Sequence, residues 1–152
     1  MVGVVPEFIH IATGEPVEVG CGPLVFHIRR REVGDDGGIS IELYGARDGE
    51  EAEILRFDLF RKDPHYHVPS GTKPTGRIDP SVDALAYALD RIESELPEML
   101  RQSGAAEHVS SIEPLGMDLV VDQLREAVAR APSPGESQRI ELTPKVRALL
   151  GD

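Results

Sequence analysis

Between Leu24 and Phe60 the chain reads as three stretches of alternating side chains with only short turns between them. Leu24, Phe26 and Ile28 point one way, and Val25, His27, Arg29, Arg31 and Val33 the other. Gly34-Asp35-Asp36-Gly37-Gly38 is a turn, rich in residues that tolerate positive φ. Ile39, Ile41 and Leu43 then alternate with Ser40, Glu42 and Tyr44. Arg47-Asp48-Gly49-Glu50 makes the next turn, and Leu55, Phe57 and Leu59 form an inward set against Arg56 and Asp58 outward. Parallel pairing needs a long crossover, so such short turns dictate an antiparallel meander. This constraint removes most of the folds open to a chain of this length.

Shorter apolar segments flank the meander. Val2 to Ile11 suggests a short first strand, and Val17 and Val19 around Glu18 a second. Pro64 ends or bends the third meander strand, and His65-Tyr66-His67-Val68 can add a short strand or an extended arm. After the loop from Pro69 to Gly76 the periodicity changes. Asp79 reads as an N-cap with Pro80 at the first helical position, and Val82, Leu85, Leu89, Ile92 and Leu96 follow at steps of three and four. Pro97 is expected to kink that helix or start another running to Gly104. Residues 105–116 read as irregular, Asp118 to Ala131 as a helix, and Ile140 and Leu142 as a short strand. Thr143-Pro144 caps a last helix ending at Gly151. The expectation is a single α+β domain over residues 1–152, with a sheet-forming half at about 1–78 and a helical half at about 79–152. Three to five strands are predicted in the meander, with three or four helices on one face.

Composition narrows the function classes. At 152 residues, 40% hydrophobic and 28% charged, the chain can bury a real core. No apolar run is long enough to span a membrane, so no membrane partner is expected. The N-terminus lacks a signal-peptide pattern, and the lone Cys21 has no internal disulfide partner, which together favour a soluble protein of the reducing cytoplasm. A net charge of −11 argues against bulk nucleic-acid binding.

One stretch runs against that charge. Arg56, Arg61, Lys62, Lys73 and Arg77 face only Asp58 and Asp63 in the segment from Ile54 to Arg77. His65 and His67 lie inside it. Residues two apart in an extended chain share a face, so the two imidazoles can hold one metal ion such as zinc, with Asp63 of the same parity as a third ligand. The same two histidines are the candidates for metal-free acid–base catalysis. Arg61, Lys62 and Lys73 are candidates for holding an anion beside them. There is no phosphate-binding Gly-rich loop, no GxSxG and no HExxH. Cys21 lacks a positive neighbour to activate it and reads as structural.

The run Phe57-Asp58-Leu59-Phe60-Arg61-Lys62-Asp63-Pro64-His65-Tyr66-His67 resembles the core motif of small bacterial domain families without an assigned chemistry. More distantly, Arg56-Phe57-Asp58 followed by a histidine-containing arm resembles the toxin half of some bacterial toxin–antitoxin pairs, which implies a metal-independent RNase. The residues themselves support first a small binding domain, for metal or anion, at the His-Tyr-His arm. The alternative is a non-enzymatic interaction module or homodimer, since a small sheet with an open edge pairs readily.

Overall fold

The computed structural model describes residues 5–150. Its sheet has β1 (Phe8–Thr13), β2 (Val17–Cys21), β3 (Leu24–Val33), β4 (Asp36–Arg47), β5 (Glu50–Phe60), β6 (His65–His67), β7 (Gly76–Arg77) and β8 (Gln138–Glu141). The helices are α1 (Ala84–Gln102), α2 (Val109–Ile112), α3 (Met117–Arg130) and α4 (Pro144–Leu150), with a 3-10 turn at Ala106–His108. The strand order is β7-β6-β5-β4-β3-β1-β8, with β2 also on β3, and every pairing is antiparallel.

The α+β class and the central meander stand, but eight strands in the sheet replace the expected three to five. The added strands are short. β6 has three residues and β7 two, too few to show an alternation. β1 and β2 both pair with the same side of β3, interrupted at Gly14-Glu15-Pro16, where Pro16 has no backbone donor. β8 comes from the helical half and returns to pair with β1, so the division near residue 78 is not a clean one.

One face of the sheet carries Phe26, Ile28, Ile41, Leu43, Leu55 and Phe57 into a core shared with Leu89, Ile92, Leu96, Met99 and Leu100 of α1 and Val121 and Leu124 of α3. α1 lies against β5, and α3 against β2 and β3. The α1 N-cap is Asp83, whose side chain accepts from the Ala86 amide, so the helix begins four residues later than the Asp79-Pro80 signal suggests. Asp79 instead closes a turn by accepting from the Ser81 amide at 2.9 Å. Pro97 sits inside one continuous helix. The apolar face on both sides of it is buried, and packing there holds the helix through the lost backbone bond. Residues 106–112, expected as irregular, form the 3-10 turn and α2. The sequence expectations at Val2 to Val4 and at Gly151 lie outside the described residues.

Candidate functional site

The opposite face of the same strands is polar, and it too is buried. The register aligns two cross-strand rows there. Arg29, Ser40, Asp58 and His65 stand side by side, and so do His27, Glu42, Arg56 and His67. Ser40, Glu42, His65 and His67 are fully buried, and Asp58 and Arg56 nearly so. Neighbours in such rows stand about 5 Å apart, close enough for direct pairing.

A β-bulge in β5 makes the grid possible. Leu43 pairs with Leu55 but Tyr44 with Glu53, so Ile54 is an extra residue. Ile54 and Leu55 are both wholly buried in the core, while Glu53 and Arg56, three apart in sequence, come to the same face with 3.8 Å between their charged groups. A regular strand would put them on opposite faces. The hairpin from β5 to β6 turns between Arg61 and Lys62, which sets Asp58 opposite His65 and Arg56 opposite His67.

Asp58 is the centre of the site. Its Oδ1 accepts from Ser40 Oγ at 2.7 Å and its Oδ2 from Arg56 Nε at 2.9 Å. Oδ2 also lies 3.1 Å from His65 Nε2 and 3.5 Å from His67 Nε2. Burial alone would raise its pKa, but the two histidines and Arg56 outweigh burial and hold the carboxyl well below the usual range. Asp58 is therefore a buried carboxylate.

Both imidazoles are held by backbone carbonyls. His65 Nδ1 donates to Asp63 O at 2.8 Å, and His67 Nδ1 donates to Thr72 O at 2.9 Å. A carbonyl only accepts, so each Nδ1 carries a proton and each Nε2 is the ring nitrogen turned toward Asp58. His67 Nε2 accepts from Arg56 Nη2 at 3.2 Å. His65 Nε2 is buried with no hydrogen-bond partner among the described residues. At 3.1 Å from Oδ2 it is one acceptor facing another, a contact that calls for a proton or a cation between them. Burial disfavours charge on His65, but Asp58 overrides it and holds the pKa of the ring above normal.

The three atoms Asp58 Oδ2, His65 Nε2 and His67 Nε2 meet the geometric need of a metal site: one ligand atom from each residue, all within 4.8 Å of one another. An ion bound at about 2.0–2.1 Å in a tetrahedron holds its ligand atoms about 3.3 Å apart. The two edges from Asp58 Oδ2, 3.1 Å to His65 Nε2 and 3.5 Å to His67 Nε2, bracket that value.

Of the residues the sequence singled out, the structure brings His65 and His67 together but joins them to Asp58. Asp63 is half exposed, 3.4 Å from Arg77 Nη1, and its carboxylate approaches the Nδ1 side of His65 at 3.8 Å. Arg61 and Lys62 pair with Glu32 and Asp35 on the surface, and Lys73 is exposed in the loop of residues 69–75. His27 lies 3.4 Å from Glu18, and His108 Nε2 donates to Ala46 O at 2.6 Å. A second polar group on the grid was not anticipated: Glu42, contacted by Arg29 at 3.0 Å, Arg31 at 2.5 Å and Tyr44 Oη at 3.1 Å. Its signal in the sequence is a charged residue at an outward position of a strand with neighbours on both sides.

A family model matches residues 18–129, well over half of the chain. This chain belongs to the family described as Domain of unknown function (DUF7700). The DUF7700 match runs from β2 into α3 and takes in every residue of the two rows, while β1, β8 and α4 lie outside it. No curated protein matches the chain, and no solved structure does. Among the described residues no helix is long and apolar enough to cross a membrane.

Proposed function

We propose that this DUF7700 chain is a metal-binding domain that holds a divalent transition ion, zinc being the type case, on Asp58, His65 and His67. The observation that carries the reading is the convergence of Asp58 Oδ2, His65 Nε2 and His67 Nε2 within 4.8 Å of one another in a buried site. His65 Nε2 has no hydrogen-bond partner among the described residues and faces the carboxylate oxygen at 3.1 Å. The two Nδ1–H···O=C bonds are the outer support that metal-ligating histidines need, since they fix tautomer and ring orientation. Two imidazoles and one carboxylate suit zinc, copper, nickel or iron better than magnesium or calcium, which prefer oxygen ligands.

The metal-independent RNase that the toxin resemblance implies would need its histidines open to an RNA strand. Both are fully buried, which favours the ion. The ion would also stand between His65 Nε2 and Asp58 Oδ2, a contact otherwise served by a proton on His65.

Elemental analysis of the untagged protein after zinc loading and dialysis tests this. We expect one zinc per chain in the wild type and in Asp63→Ala, and none in Asp58→Asn or in His65→Ala/His67→Ala, each checked for native circular dichroism. Wild-type protein that retains no transition metal would overturn the reading. Loss of zinc in Asp63→Ala would return the third ligand to Asp63.

A further inference from the structure

An imidazole Nε2 has a single lone pair. In His67 that lone pair already receives Arg56 Nη2 at 3.2 Å. The same guanidinium donates through Nε to Asp58 Oδ2 at 2.9 Å. Arg56 thus sits on two of the three candidate ligand atoms. Asp58 can serve two claimants, because a carboxylate offers about four acceptor positions and Ser40 uses one of them at Oδ1. His67 cannot. An ion and the guanidinium are mutually exclusive at His67 Nε2.

Resting on the metal reading above, we propose that Arg56 is a built-in rival cation that selects which ions the site takes. Only an ion with high affinity for two imidazoles and a carboxylate displaces it. The displaced group has somewhere to go on the same face. Arg56 Nη1 lies 3.8 Å from Glu53 Oε2, and Glu42 stands opposite Arg56 in the cross-strand register. Arg56 is nearly buried, so its charge stays close to the ion even after it yields His67. Two penalties therefore act on every incoming cation: loss of a charge-assisted hydrogen bond, and repulsion at short range in a poorly screened interior. Ions late in the divalent series bind nitrogen donors strongly enough to overcome both, whereas magnesium and manganese do not.

The test is a zinc titration of the untagged full chain against a chromogenic chelator at fixed pH. Wild type, Arg56→Met, Arg56→Lys and His65→Ala/His67→Ala are compared. Methionine keeps the buried stem and removes charge and donors. Arg56→Met is expected to bind zinc roughly ten- to a hundredfold more tightly than wild type, the scale of one charged hydrogen bond. Arg56→Lys falls between, keeping the charge but losing the two-pronged contact. Zinc bound by wild type, and released by competing chelator less readily from Arg56→Met, would support the proposal most directly. Equal or weaker binding by a natively folded Arg56→Met overturns it and leaves the metal site standing. Should Arg56→Met not fold, absence of any gain in Arg56→Lys overturns it instead. Silence in wild type and both Arg56 variants removes the metal site itself.

Discussion

β4 and β5 bury both of their faces, and do so by opposite chemistry. On one, Ile41, Leu43, Leu55 and Phe57 are wholly buried against α1 and α3. On the other, Ser40, Glu42, Arg56 and Asp58, the next residues along the same backbone, are buried to nearly the same degree. The apolar face gains from area, which is non-directional and roughly additive. The polar face gains only when each donor meets its acceptor, because a buried charge without a partner costs more than a pair returns. Equal burial therefore implies unequal tolerance: the helix-covered face should accept changes of shape, the polar face almost none.

The largest effect should come from Asp58→Asn. The change keeps the shape and removes the charge that Arg56 and the two histidines face, at a cost of about 3–5 kcal/mol in urea unfolding. Leu55→Met, on the apolar face three residues away, conserves volume and should cost under about 1.5 kcal/mol. A smaller loss for Asp58→Asn than for Leu55→Met would break the contrast between the faces.

A finer comparison uses one titrating group from each side. Cys21, on the helix side, has its thiol pushed up to about 11 by burial alone. Tyr44, on the polar side, has its phenol pushed up to about 12 by burial first, then by Glu42 and Glu53. A raised phenol stays neutral in the folded chain while the unfolded chain ionises near pH 10, so stability falls as pH rises from about 10 to about 12. Glu53→Gln should bring the Tyr44 midpoint, read by absorbance at 295 nm, below about 12 and leave the Cys21 thiol where it is. A Cys21 that moved with it would mean the two faces are electrically coupled.

These two faces also differ in how far the sequence reveals them. Period-two alternation placed Leu55, Phe57 and Leu59 inward and Arg56 and Asp58 outward, and three-four spacing found α1 and α3. What alternation cannot say is whether an outward face meets water. That depended on the 69–75 loop folding over His67 and on Arg29, Arg31 and Tyr44 closing over Glu42, and the two arginine contacts join separate strands. The pairing of His65 with His67 was legible from their spacing. Asp58 was not, because its place depends on where the hairpin turns. Once that turn is set between Arg61 and Lys62, the partner of His65 follows by counting back. The short strands β6, β7 and β8 were hard to recognise for a related reason: they are strands by virtue of a neighbour rather than by their own pattern.

The extra residue at Ile54 makes β5 unusual as a length of chain. Shortening a strand by one residue normally turns every later side chain to the wrong side. Removing Ile54 would not, since Glu53 and Leu55 already lie on the two faces a regular ladder would give them. The sheet should survive that excision. What would be lost is an anchorage, because the Ile54 carbonyl accepts from the Ser70 amide at 2.9 Å, and Ser70 opens the loop whose Thr72 carbonyl steadies His67. Ile54 thus acts as a tether for the site as well as a core residue, and its deletion would remove a buried side chain while leaving the register of every ligand in place.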